Sequence, residues 1–458
     1  MSARIRLVWL VLVSGTITFT LLDNTLAFDG VIEVGPKGKQ IVALVREAER
    51  DAGFSGAVLA GENGKIIAAV AVGKNGKQPL DVTTLFEIAS CTKTFTAMAV
   101  MKLVEEGKLK LDDPISKYLP GIPENCQAIT VRHLLQHTSG IPGDNSAGHG
   151  KDLAEVLPTF LAGGPQATPG ERHEYWNQGY ALLSEVIARA SKKSYVGYMN
   201  EAIFKPCKMT QSRFNGQQAP RGVKVALGKS TRGADRTALE HPYGDEYGFQ
   251  YRGMGGLVTN LVDLWRWDRT LAAGKLLTKE SIAEMTKPGP GGYALGWRVS
   301  EEDGHEIHQH TGSVRGFLAM IRRVPDTDSC LFVLANSDAN EPFDIVSAAC
   351  TDALAGKEAK LNVPKPLDSK LANDLVGNYG DSQGRTLTIV LIQGTLSASV
   401  NWNGPISKGH LNQGEGEELS WVVAGETNKL AVERDAAGKV TAITITDLES
   451  RPKFSRVD

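Results

Sequence analysis

The chain has 458 residues, of which 41% are apolar and 22% charged, with 49 glycines and 20 prolines. At about 150 residues per domain this length holds two or three domains, and the composition excludes disorder, a collagen-like repeat and a multi-span membrane protein. Fifty Lys and Arg against 52 Asp and Glu leave a formal charge of −2, so no basic excess exists to neutralise phosphates and no nucleic-acid partner is expected.

Arg4 and Arg6 precede a mostly apolar run from Leu7 to Leu22, and Thr25-Leu26-Ala27 places small residues at the −3 and −1 positions of a cleavage site. Residues 1–27 therefore read as a secretory signal peptide, and the protein as exported, periplasmic or extracellular. An uncleaved N-terminal membrane anchor is the alternative; the Thr-rich second half of the run is weakly hydrophobic and short for a span. No later stretch reaches the length of a membrane helix, so no stable span is expected after cleavage.

Next along the chain, Gly56–Gly61 and Lys65–Gly73 are two apolar runs joined by Glu62-Asn63-Gly64, a hairpin signal. Thr92–Gly107 has apolar residues at helical spacing (Phe95, Met98, Ala99, Leu103). Residues from about 110 to 290 are rich in helix and loop signals. Strand patterns then return at Tyr293–Val299, Glu306–His310, Gly316–Val324 and Ser329–Leu334, followed by a helix over Phe343–Leu354. Strands at both ends with helices between suggest, over 28–355, one sheet assembled from distant segments with a helical subdomain inserted between them.

Residues 356–366 are polar, contain Pro364 and Pro366, and read as a linker. Beyond them Thr386–Gln393, Leu396–Val400, Leu419–Val423, Lys429–Glu433 and Val440–Thr446 are β-prone runs, and Asp435-Ala-Ala-Gly438 is a hairpin turn. Residues 367–458 are thus expected to form a separate small all-β domain. The five cysteines (Cys91, Cys126, Cys207, Cys330 and Cys350) show no metal spacing, so no metal site is expected. In an exported protein two pairs can oxidise, and Cys330 and Cys350 are near each other in the chain; equally, all five suit the role of small buried apolar residues.

Three short motifs carry chemistry. Ser90-Cys91-Thr92-Lys93 puts a hydroxyl and an amine one turn apart at the start of an apolar-periodic helix. The helix N-terminus favours a developing oxyanion, and a desolvated Lys can accept the Ser proton. Ser450-Arg451-Pro452-Lys453 has the same spacing, but Pro452 breaks the helix that would align the pair. Tyr175-Trp176-Asn177 offers a phenol and an amide on one side of an extended segment; Tyr198-Met199-Asn200 lies in an amphipathic helical pattern, where residues two apart diverge. His310-Thr311-Gly312 ends one predicted strand, and Ser313–Gly316 leads into the next. A hydrogen-bonding side chain followed by small residues on an edge strand lets a substrate backbone pair alongside.

These motifs, taken with Arg132-His-Leu-Leu-Gln-His137-Thr-Ser-Gly140, Gly179-Tyr-Ala-Leu-Leu183, Gly255-Gly256-Leu-Val-Thr and Tyr293-Ala-Leu-Gly-Trp297, resemble the class C β-lactamase-related serine hydrolases. That family includes penicillin-binding peptidases, D-aminopeptidases, β-lactamases and esterases; the resemblance covers roughly residues 40–355 and implies an α+β fold, an antiparallel sheet flanked by helices next to the inserted helical subdomain, with the site between them. The tail from about 367 resembles the β-barrel-like C-terminal modules of some members. The resemblance implies Ser90 as acylated nucleophile, Lys93 as its general base, Tyr175 as a proton shuttle activated by nearby positive charge, and Asn177 as an orienting group for Lys93 and the substrate amide. Backbone amides of Ser90 and Ser313 would form the oxyanion hole, with His310, Thr311 and Gly312 binding substrate. No metal or organic cofactor is implied. His310 stands where typical β-lactamases have Lys, and a largely neutral imidazole suits a substrate carboxylate less well. Arg315 is a candidate for the missing charge. The implied substrate is a small ester or amide, or a peptide such as a cell-wall peptide. A non-catalytic cell-wall-binding scaffold is the competing reading.

Overall fold

In the computed structural model, which describes residues 30–143, 150, 152–231, 233–243, 247–363, 369–392, 395–402, 406–413, 419–423, 426–448 and 451–457, Ile32–Glu33 (β1) leads directly into helix Gly35–Asp51 (α1). Asn63 and Gly64 both take positive φ, 50° and 68°, the backbone a two-residue hairpin turn requires. They join Gly56–Glu62 (β2) to Lys65–Val72 (β3). The sheet is completed from the far end of the domain by Arg298–Glu302 (β4), His305–Val314 (β5), Phe317–Val324 (β6) and Ser329–Ala335 (β7). The order is β1-β3-β2-β7-β6-β5-β4, every neighbour antiparallel.

The central strand β7 is buried throughout and shows why the sheet needs two covers. Leu331, Val333 and Ala335 face a core that also contains Ile41 and Val45 of α1 and Val346 and Cys350 of a later helix, Asn340–Ala355. Cys330, Phe332 and Leu334 face the other core, shared with Phe95, Met98 and Trp267. Burying such a side chain contributes about 1.5–3 kcal/mol, so a one-residue slip of register would forfeit several of them at once. The segment inserted between β3 and β4 carries helices Thr92–Glu105 (α2), Val131–Leu135 (α3) and Asn177–Ser191 (α4) among others, which is the inserted helical subdomain.

The C-terminal strands form a closed eight-stranded antiparallel barrel, from Gly377–Gly380 to Lys453–Arg456, the first strand pairing with the last. It has its own core, including Leu387, Leu396, Trp421, Ile443 and Phe454. Gly438 closes the turn at Asp435 with φ 83°. Of the expected linker, residues 356–363 form neither helix nor strand, and 364–366 lie outside the described residues. The expected signal peptide 1–27 and Ser450 also lie outside them. Among the described residues no helix is long and apolar enough to cross a membrane.

Two local expectations are corrected, and the alternative left open for the cysteines is decided. Tyr293–Trp297 is a buried loop rather than the start of a strand, because Gly296 takes φ 76° and presses against α2. His310–Gly312 lies inside β5, which runs on to Val314, its small polar residues held in the ladder by β6. All five cysteines are buried free thiols; Cys330 and Cys350 belong to cores on opposite faces of the sheet, so their proximity in sequence gives no disulfide.

Candidate active site

Ser90 sits in a single 3-10 turn, Ala89–Cys91, immediately before α2 rather than within it. Ala89 takes φ 44°, a left-handed backbone that L residues other than Asn, Asp or His seldom adopt. The turn lies against β5 because Gly312 has no side chain: a Cβ there would collide with the Ile88 carbonyl and come 3.1 Å from the Ala89 Cβ. The Cys91 thiol adds a hydrogen bond to the His310 carbonyl, 3.2 Å.

Lys93 is one turn on and fully buried. Its Nζ donates to Ser90 Oγ at 3.1 Å and to the Met254 carbonyl at 3.0 Å, and lies 5.0 Å from the Tyr175 ring centre and 5.5 Å from that of Tyr180. Burial pushes its pKa well below the ordinary lysine value. The carbonyl and hydroxyl suit a neutral amine, since neither carries the full charge an ammonium needs when desolvated. Ser90 itself is only half-buried, so its hydroxyl is reachable while the amine beneath it stays dry.

Tyr175 approaches from the loop before α4, and its phenol interacts with the Ser90 side chain. Burial raises its pKa above the usual phenol range, opposed by the Ser90 hydrogen bond and the charge of Arg298. The phenol therefore keeps its proton in the resting site. Asn177 is the first residue of α4, with Trp176 packed in the core at its N-cap.

His310 is buried beside this cluster. Its Nε2 and the Tyr293 hydroxyl are 2.9 Å apart and its Nδ1 is 2.6 Å from the Thr311 carbonyl. With Nδ1 donating, Nε2 accepts from the phenol, so the ring is satisfied as a neutral imidazole. Burial and the neighbouring Lys93 push its pKa down to about 3. Thr311 and Ser313 alternate with buried Gly312 and are exposed. Arg315 lies past the end of β5 and turns toward Gly233, its Cδ 3.5 Å from the Cβ position there; its carbonyl accepts from Arg236.

The site thus brings together Ser90, Lys93, Tyr175 and His310. The second copy of the Tyr-x-Asn pattern is elsewhere: Tyr198 is in a short helix and bonds Glu106. Two further groups were not singled out from the sequence. Arg298 is an exposed cation at the first residue of β4, 5.9 Å from the Tyr293 ring, and its charge acts on Tyr175, His173 and His310. Only its position after the Tyr293–Trp297 motif could have flagged it. His137 stacks against Tyr175 with ring centres 4.1 Å apart; it was visible in a motif but had no chemistry attached. Among the described residues no three His, Cys, Asp or Glu side chains converge as a metal site would require.

Comparison with known proteins gives the family and the fold. The family described as Beta-lactamase matches residues 41–353. The chain is 29% identical over 380 residues to penicillin-binding protein 4* of Bacillus subtilis, spanning 75% of this chain and 83% of that protein. It is 29% identical over 299 residues to Protein flp of Staphylococcus aureus, spanning 61% of this chain and 58% of the relative, less than two thirds of its length. Among solved structures, the octameric penicillin-binding protein homologue from Pyrococcus abyssi superposes with a TM-score of 0.62 at 23% identity, covering 91% of this chain and 99% of that one, a likeness of fold. The penicillin-binding protein from Bacillus halodurans gives 0.57 at 25% identity, covering 68% and 97%.

Proposed function

Because this chain belongs to the beta-lactamase family of serine hydrolases, we propose that it hydrolyses an ester or amide through an acyl-enzyme on Ser90. The observation that carries the reading is the 3.1 Å contact between Ser90 Oγ and the Nζ of a fully buried lysine. Ser90 Oγ attacks the carbonyl carbon as its proton passes to the Lys93 lone pair. The oxyanion forms beside the N-terminus of α2, where the backbone amides of Ser90 and Ser313 receive it. Each such donor contributes about 2.7–4 kcal/mol in studied hydrolases. The leaving group takes a proton through Tyr175, which is protonated at rest and regains its proton from Lys93. Water then attacks the acyl carbonyl by the same route in reverse, releasing the acid and restoring Ser90. Asn177 orients the substrate amide, and Thr311 and Ser313 on the exposed edge of β5 pair with the acyl chain.

A narrower reading, an amide or peptide bearing a free carboxylate as in D-peptides, is favoured by Arg298. His310 offers no charge, whereas the exposed Arg298 does, and its field reaches Tyr175. Export follows if residues 1–27 direct it. Turnover of p-nitrophenyl acetate, a D-Ala-D-Ala peptide and the same peptide amidated at its C-terminus tests both readings. Ser90→Ala is expected to abolish all activity, and full activity in that variant refutes the assignment. Preference for the carboxylate peptide, lost in Arg298→Ala, supports the narrower reading; equal rates on the amidated peptide contradict it.

A further inference from the structure

We propose that His137 is the positioning residue for Tyr175, holding the phenol in place by gripping the chain on both sides of it. The inference rests on the reading of Tyr175 as the proton-transfer group. The grip has three parts. The Glu174 N–H donates to the His137 carbonyl at 2.8 Å. The Trp176 N–H donates to His137 Nδ1 at 3.1 Å. Between those two anchors the imidazole lies against the Tyr175 ring, centres 4.1 Å apart and planes inclined by 37°. The residue before Tyr175, the residue after it and its own ring all bear on one histidine, which leaves the loop little freedom to shift.

The backbone around His137 shows that the side chain matters at this position. Helix α3 ends with the Thr138 N–H donating to the His133 carbonyl at 2.8 Å and the His137 N–H donating to that of Leu134 at 3.4 Å. In this helix-ending arrangement the residue in the His137 place is left-handed, and glycine is its usual occupant. His137 takes φ 55° there. Histidine adopts this backbone more readily than most residues with a Cβ, and here it supplies an imidazole where the usual glycine would supply no side chain.

The chemistry of the ring fits the task. The ring is almost wholly buried, and burial together with Lys93, His173 and His310 keeps it neutral. With Nδ1 accepting from Trp176, the single ring proton sits on Nε2. Nδ1 is thus held as an acceptor for the Trp176 N–H. The α3 end is itself fixed to α4, since the Tyr180 hydroxyl donates to the Leu135 carbonyl at 2.7 Å.

The test compares two substitutions in the full chain with Tyr175→Phe. His137→Phe keeps a ring against Tyr175 but removes the acceptor; His137→Asn places an amide oxygen near Nδ1 and leaves a cavity. A positioning role predicts that His137→Phe lowers kcat about 100-fold with little change in KM. His137→Asn should restore most of that kcat while having the lower melting temperature. A packing role predicts the reverse ranking, and that ranking overturns the proposal. If Tyr175→Phe is inactive while His137→Phe turns over at the wild-type rate, His137 is not the clamp and Tyr175 keeps its role. Wild-type turnover by Tyr175→Phe overturns the reading beneath both. A measurement on the unaltered protein stands apart from folding of the variants: nitrogen-15 NMR of labelled histidines should show the His137 proton on Nε2, and a proton on Nδ1 overturns the proposal.

Discussion

Gly312 lies so close to Ile88 that the β5 backbone and the turn bearing Ser90 touch without any side chain between them. The nucleophile is therefore placed by an absence, and the absence is testable. In Gly312→Ala the added methyl must displace either the strand or the turn. The expected result is a loss of about 100-fold in kcat with a stability cost of only about 1–3 kcal/mol. Kinetics and thermal unfolding of the same preparation check it; a variant with wild-type kcat shows that the turn can shift without consequence.

Lys93 sets the pH dependence. Its buried amine must be uncharged to accept the Ser90 proton, and burial lowers its pKa. The kcat/KM profile should therefore fall as pH drops through that lowered value and stay flat into the alkaline range, where Tyr175 retains its proton. Lys93→Arg fixes a positive charge at the same place. It should lose about 100- to 10,000-fold in kcat at every pH. A profile that instead falls above neutral pH would show that catalysis needs a protonated group titrating there, and would contradict an uncharged Lys93 as the base.

Glu87, three residues before Ser90, is fully buried against Arg236, at 2.5 Å, and accepts from the Tyr251 hydroxyl at 2.5 Å. Arg236 in turn donates to the Arg315 carbonyl at 2.9 Å. The pair ties the strand before the nucleophile to the turn after β5. Glu87→Ala strands a buried guanidinium and should cost about 3–5 kcal/mol. Replacing both Glu87 and Arg236 by Met should cost less than Glu87→Ala alone. Urea unfolding of the two variants decides it; an unchanged midpoint in Glu87→Ala would mean that solvent reaches Arg236.

His310 contributes to acid sensitivity. Its folded pKa of about 3 is below that of a free imidazole, so the unfolded chain binds the proton first. The stabilisation is complete above about pH 6.5 and is lost as pH falls toward about 3, at up to about 1.4 kcal/mol per pH unit. In His310→Gln the decline in stability between pH 6.5 and 4 should be shallower than in the wild type. Identical slopes would mean that His310 titrates normally.

Much of the site was legible because its spacing is local. Ser90 and Lys93 are one turn apart by helical geometry alone, and the hairpin at Asn63-Gly64 is dictated by its turn chemistry. What failed depended on partners distant in the chain. The strand through Thr311-Gly312-Ser313 is weakened by Gly312 and Ser313 and exists because Met320, Ala319 and Leu318 pair with it. Tyr293–Trp297 alternates like a strand, but Gly296 closes against Lys93 and Ala97 of α2. The barrel strand Ile406–Gln413 has a composition too polar to read as β, and pairing on both sides holds it. Arg298 was missed because only the folded chain shows which residues its charge reaches.

The most direct test of the acyl-enzyme is the mass of the intact protein after incubation with a fluorophosphonate and with a penicillin. The account predicts a single covalent adduct from at least one of these probes, mapped to the peptide containing Ser90 and absent from Ser90→Ala. A wild-type protein that neither probe modifies, or an adduct that persists in Ser90→Ala, contradicts it.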